Sequence, residues 1–200
     1  MSIRIILVRH GETVQNARHI IQGHLPGILS KKGREQAKKV AEYLKKEKLD
    51  RIYVSDLKRT RDTAKAIIKF HPRVPVIYDP RLREQNYGIY QGKASGTMDE
   101  AVRKRRIPYH LYTPRGGESI VDVQNRVIQF LHDILSEKGL KTVLLVTHGG
   151  PMTRMLMHLE RAHEEQYINY RHANTGVTIL EFDRKQKHKI SVLNSTKHLD

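Results

Sequence analysis

Four polar clusters in this chain each follow a short apolar run. Arg9-His10-Gly11-Glu12-Thr13 follows residues 3–8, and Ser55-Asp56-Leu57-Lys58-Arg59-Thr60 follows 52–54. Asp79-Pro80-Arg81-Leu82-Arg83-Glu84 follows 74–78, and Thr147-His148-Gly149-Gly150 follows 143–146. Taken singly, a histidine after a strand reads most simply as a satisfied structural residue. Two of them, each followed by glycine and accompanied by Arg9, Arg59 and Glu84, suggest a reaction. A neutral imidazole is a competent nucleophile that can hold a transferred group covalently. Guanidinium groups make planar, permanently charged clamps for a phosphoryl group. Phosphoryl transfer needs mostly positioning and charge stabilisation on the equatorial oxygens, which Arg and His supply. Glu84 has the chemistry to protonate a leaving oxygen, and a glycine after each histidine lets backbone approach a ligand closely. His10, His148 and Glu84 also have ligand chemistry for a divalent metal. The adjacent Arg charges oppose a cation, however, and no HExxH pair is present.

These residues can act together only if their elements bring them to one edge. Continuous Ile/Leu/Val runs such as 3–8 and 143–146 suit strands buried on both faces of a helix-covered parallel sheet. Residues 52–54 and 74–78 are weaker strand candidates. Helical apolar spacing falls between the runs, over 31–48, about 58–70, 119–137 and about 151–160, with Ser119 and Asp122 as a start signal. Residues 177–182 and 190–193 flank a polar segment, 183–189, which predicts an antiparallel hairpin. The alternation argues for an α/β fold, a three-layer α/β/α sandwich around a mostly parallel sheet. In such a sheet ligands bind at the carboxyl ends of the strands, where the four clusters lie. Residues 1–200 read as one unit, with an insertion or lid over about 80–118.

Lys and Arg number 37 against 21 Asp and Glu, a formal charge of +16. Such a chain suits an anionic partner: nucleic acid, an acidic membrane surface or a phosphorylated small molecule. Much of the charge lies in 31–48, where Glu35 with Lys39 and Glu42 with Lys46 predict ion pairs on a solvated helix face. The cluster Arg103-Lys104-Arg105-Arg106, with Tyr109, Tyr112, Pro108 and Pro114, predicts an irregular loop or lid. It could cover an anionic substrate or serve RNA, although no nucleic-acid motif accompanies it. No apolar run exceeds four residues, against about 18 for a membrane helix. Nor is there an amino-terminal stretch long enough for a signal peptide. The absence of Cys excludes disulfides and thiolate sites and fits the cytoplasm.

Arg9-His10-Gly11-Glu12-Thr13 with Asn16 resembles the R-H-G-[ES]-T-x-x-N signature of the histidine phosphatase superfamily, the phosphoglycerate-mutase-like proteins. The resemblance continues in order through Gln22-Gly23, Leu29-Ser30 with Gly33, and Ser55-Asp56-Leu57 with Arg59-Thr60. Leu82-Arg83-Glu84 with Tyr87-Gly88, Gly116-Gly117-Glu118-Ser119 and Thr147-His148-Gly149-Gly150 complete it, across roughly residues 3–182. It implies His10 as the phosphohistidine nucleophile, with Arg9, Arg59 and His148 as the phosphate pocket and Glu84 as the proton donor. Asn16 and the backbone around Gly23 and Gly149 would add hydrogen bonds, and Gln22 and Tyr87 fall among the substrate-binding positions. No metal and no cofactor is implied, and the other ten histidines match no catalytic position.

Phosphatases and cofactor-dependent mutases of this family share the phosphohistidine step. Arg105-Arg106 is similar to an Arg pair with which mutases grip substrate, and Glu84 and Tyr87 fit both branches. Mutases, however, carry a longer insertion after that pair, whereas Gly116 follows Arg106 by only ten positions here. They also place a Lys where this chain has Ser95, with Lys93 nearby. Asn174-Thr175-Gly176-Val177-Thr178 is more similar to the phosphatase branch. The expected activity is metal-independent hydrolysis of a small phosphorylated metabolite, with a 2,3-bisphosphoglycerate-primed phosphoglycerate mutase as the alternative. A homodimer is left open.

Overall fold

The computed structural model describes residues 2–200. Its centre is a six-stranded sheet made of β1 (Ile3–Arg9), β2 (Arg51–Val54), β3 (Val76–Tyr78), β4 (Thr142–Thr147), β5 (Val177–Phe182) and β6 (His188–Ser195). The strand order is β3-β2-β4-β1-β5-β6. The first four in that order pair in parallel, and β5 and β6 add an antiparallel edge. The fold is therefore the expected α/β arrangement with a mostly parallel sheet.

The apolar runs are continuous because both faces are covered. Ile5, Leu7, Val143 and Leu145 pack under Val127, Phe130 and Leu156 of α5 (Ile120–Ser136) and α6 (Gly149–Leu159), the helices of one layer. Ile6, Val8, Leu144 and Val146 alternate to the other face. There they meet Val40, Leu44 and Ile67 of α2 (Lys31–Leu44) and α3 (Lys58–Ile68). Each such side chain contributes roughly 1.5–3 kcal/mol by leaving water. A one-residue slip of β1 against β4, now registered Leu7 to Leu145, would exchange the two cores.

Element ends differ from the sequence-based expectations in ways that local chemistry explains. After the single-turn α1 (Val14–Ala17), α2 stops at Leu44 rather than residue 48, where the Lys45 N–H turns back to the Glu42 carbonyl and Glu47 pairs with Arg4 of β1 at 2.6 Å. Its ion pairs run from Glu35 to Lys38 and from Glu42 to Lys45, one residue short of the expected partners. Lys39 instead donates to the Leu199 carbonyl at 2.6 Å. Ser119 and Asp122, the expected start signal, form a capping box on α5. The hairpin closes around Asp183, whose Oδ1 accepts from the Lys185 and Lys187 amides at 2.8 and 2.9 Å.

The largest correction concerns residues 80–118. The basic cluster does not lie on an irregular loop: α4 (Thr97–Arg105) carries Arg103, Lys104 and Arg105 in its last turn, which suits the negative end of the helix dipole. Arg106, at φ 54°, ends it. Pro108 thus follows the helix rather than preventing it. Tyr90, Met98, Val102 and Tyr112 give this segment a small core of its own. No helix among the described residues is long and apolar enough to cross a membrane.

Candidate active site

Parallel pairing of β1, β2, β3 and β4 sends all four carboxyl ends to one edge, and β4 lies between β1 and β2. That order sets His148 beside both His10 and Arg59. The rings of His10 and His148 meet edge to face with centroids 5.1 Å apart. Arg59, in the first turn of α3, is 1% exposed. Its Nε–H is shared between His10 Nε2 at 3.3 Å and His148 Nδ1 at 3.2 Å.

The remaining hydrogen bonds assign the tautomers. His10 Nδ1 donates to the Gly11 carbonyl at 2.8 Å, which leaves Nε2 unprotonated, its lone pair met only by the long shared contact from Arg59. His148 accepts at Nδ1 and donates from Nε2 to the buried Ser55 Oγ at 2.8 Å. Burial, reinforced by Arg59, holds both imidazoles well below the usual histidine range, so both are neutral at neutral pH.

Two guanidiniums face His10. Arg59 donates from Nη2 to the Gly23 carbonyl at 2.8 Å and from Nη1 to that of Leu25 at 3.2 Å, and burial brings its pKa down to about 10. Gly23 is at φ +53°, and a Cβ there would sit 2.1 Å from Gln91 Oε1, so the loop that orients Arg59 requires glycine. Arg9 donates from Nη1 to the His172 carbonyl at 2.6 Å, while its buried Nε has no partner. An orphaned, desolvated guanidinium N–H beside a nucleophile suits an anionic oxygen.

Glu84 completes the cavity. Its Oε1 accepts from the Gln85 amide at 3.0 Å, and Oε2 accepts from the Gly150 amide, in the first turn of α6, at 3.3 Å. That helix begins at Gly149, two residues before its expected start, so its amides reach the site. A Cβ on Gly150 would lie 2.2 Å from Glu84 Oε1.

The cavity has a volume of about 280 Å³. Arg9, His10, Arg59 and Glu84 line it together with Asn16, Gln22, Gly23, Tyr87 and Gly149. His148 lies behind Arg59 rather than on the wall. Arg105 and Arg106 are not brought to it. Arg105 donates to the Ala101 carbonyl at 3.1 Å and stacks over Tyr112, and both arginines are exposed. Near the expected mutase lysine position, Ser95 lines the cavity, while Lys93 lies over the Tyr90 ring.

Several site residues had no role in the sequence reading. Tyr167, Arg171 and His172 line the cavity, and burial pushes His172 down to about 4. His24 donates to the Glu84 carbonyl at 2.8 Å. His24 and His172 thus depart from the expectation that the other histidines are ordinary. Arg126 donates to the carbonyls of Arg81, Arg83 and Glu84 and to both oxygens of Glu118. One signal was available, a charged residue set among Val123, Val127 and Phe130 on the buried side of α5. Arg171 sits in a stretch without periodicity and had none.

Comparison with known proteins agrees with this geometry. Residues 5–196 match the histidine phosphatase superfamily (branch 1). A metal-independent phosphoserine phosphatase of Arabidopsis thaliana is 33% identical over 98% of this chain and 82% of its own length. A probable phosphoglycerate mutase, GpmB of Proteus mirabilis, is 40% identical over 74% of this chain and 70% of its own. The structure of Bacillus stearothermophilus YhfR superimposes with a TM-score of 0.89 at 29% identity, covering 99% of this chain and 100% of that one. By sequence and by fold, the chain belongs to branch 1 of the histidine phosphatase superfamily.

Proposed function

We propose that this chain hydrolyses a small phosphate monoester through a phosphohistidine on His10. The observation that carries this reading is the unprotonated Nε2 of a neutral His10, contacted only at 3.3 Å by Arg59, on one cavity with Arg9, Arg59 and Glu84. The phosphoryl group sits between Arg9 and Arg59, where its oxygens replace the long shared contacts of the Arg59 Nε–H. His10 Nε2 attacks phosphorus, forming the P–N bond as the ester P–O bond breaks. Protonated Glu84 gives its proton to the leaving alcohol oxygen. In the second half, the Glu84 carboxylate takes a proton from water, whose oxygen displaces His10 and yields inorganic phosphate. The guanidiniums supply the charge stabilisation that a metal would otherwise provide.

The mutase alternative shares every step except the acceptor, a second substrate hydroxyl in place of water. It is disfavoured by Arg105 and Arg106, which lie outside the cavity, and by Ser95 in place of the expected lysine. Residues 1–200 would act as one unit on a small phosphorylated substrate, in the cytoplasm, without nucleic acid; a homodimer stays compatible. Alkaline quenching of the protein with a radiolabelled phosphomonoester should trap a base-stable, acid-labile adduct that His10→Ala lacks. The same adduct in His10→Ala, or loss of turnover in EDTA, would overturn the mechanism. Interconversion of 3-phosphoglycerate and its 2-isomer without released phosphate would select the mutase.

A further inference from the structure

The phosphate cavity adjoins a second one of opposite electrostatic character. The second has a volume of about 440 Å³ and shares Tyr87, Gly150 and Tyr167 with the first. Glu84 lines the first and its neighbour Gln85 the second, and the Gly150 amide at the junction donates to Glu84 Oε2 at 3.3 Å. Glu84 therefore stands at the boundary of the two cavities, with the second lying beyond it from His10.

Ile120 and Val123, both buried, give the second cavity an apolar floor. Its one cation, Arg154, is 5% exposed and already engaged. The Nη1 of Arg154 donates to both Glu164 oxygens at 2.7 and 2.9 Å, and its guanidinium stacks 5.0 Å over the Tyr167 ring. Asp99 stands at the rim against Tyr109, whose phenol is pushed up by burial and then by that carboxylate. Arg154 is thus outnumbered by Asp99 and Glu164, whereas the phosphate cavity sets Arg9, Arg59 and Arg171 against Glu84.

We propose that the second cavity is the leaving-group site and selects a ring-sized, uncharged or cationic alcohol over one that carries a carboxylate. This rests on the phosphomonoesterase reading above. A ring fills the space between the apolar floor and the tyrosine walls. A carboxylate entering there meets two like charges and a guanidinium whose charge is already paired with Glu164 through Nη1, so it is rejected by repulsion as well as by lost burial.

The test compares benzyl phosphate, 4-(aminomethyl)benzyl phosphate and 4-carboxybenzyl phosphate, with ethyl phosphate as an ester that lacks a ring. The benzyl and aminomethyl esters should exceed the carboxy ester in kcat/KM by about tenfold or more. Glu164→Gln, which frees Arg154, and Asp99→Lys, which adds a cation at the exposed rim, should each raise the carboxybenzyl-to-benzyl ratio. Equal kcat/KM for the three aromatic esters, or a ratio unmoved in both variants, would overturn this assignment while turnover of ethyl phosphate left the phosphomonoesterase reading standing. Failure to hydrolyse any of the four esters would overturn both.

Discussion

Arg126 of α5 donates from Nη2 to the carbonyl oxygen of Glu84 at 3.0 Å. The same guanidinium holds the Arg81 and Arg83 carbonyls at 2.6 and 2.7 Å and is clamped by Glu118. Glu118 in turn accepts from the Asn86 amide at 2.8 Å, so the backbone on both sides of Glu84 is anchored to one helix. The acid is thus placed largely through its own main chain, while its carboxylate oxygens accept only the Gln85 and Gly150 amides at 3.0 and 3.3 Å.

Arg126 is therefore a positioning residue. Arg126→Lys keeps the charge but cannot span three carbonyls and a carboxylate. It should lower kcat by about 10- to 100-fold, as misplacement of a catalytic group does. The loss should be larger for poor leaving groups than for 4-nitrophenyl phosphate. A uniform loss across esters would show that Arg126 only supports the fold.

Glu84→Gln removes the proton donor and retains the shape. Turnover of alkyl phosphates should fall by about 10²–10⁴-fold, while 4-nitrophenyl phosphate, whose leaving oxygen needs little protonation, should lose far less. Equal losses on both substrates would assign the proton to another group.

Ser55→Ala deletes the acceptor of the His148 Nε2 proton at 2.8 Å. An unpartnered buried donor costs about 1–3 kcal/mol, and His148 is then free to adopt the tautomer that clashes with the Arg59 N–H. We expect a lowered melting temperature together with a raised KM for phosphate esters and for inhibition by inorganic phosphate. Unchanged phosphate affinity would separate Ser55 from the site.

Burial lowers the pKa values of His10 and His148 in the folded state and takes that of His172 to about 4. The unfolded chain then binds more protons below pH about 6.5, so stability is full above that value and falls as pH drops toward the folded pKa. For His172 alone the loss between pH 7 and pH 5 is about 2 kcal/mol. Urea melts at the two pH values should show it, and His172→Asn should reduce the difference. A midpoint that does not move between pH 7 and pH 5 would contradict the buried, neutral histidines.

The sequence by itself determined the α/β layering and the residues at the reactive edge. Strands buried on both faces must be apolar throughout, so 3–8 and 143–146 are legible as strands, and the first polar residues after them as the edge where ligands bind. His10, Arg59, Glu84 and His148 are visible for that reason. Tertiary structure alone decided that β4 lies between β1 and β2, which sets His148 against Arg59 and His10. It also placed Arg126 under Glu84, Arg171 at the cavity and Arg105 away from it. Arg126 recognises backbone carbonyls, which every residue type carries, so no motif marks its targets. Where the 103–106 cluster points depended on Tyr90, Met98, Val102 and Tyr112 forming a separate small core. Such choices rest on contacts between residues far apart in the chain, whose free energy local patterns do not encode.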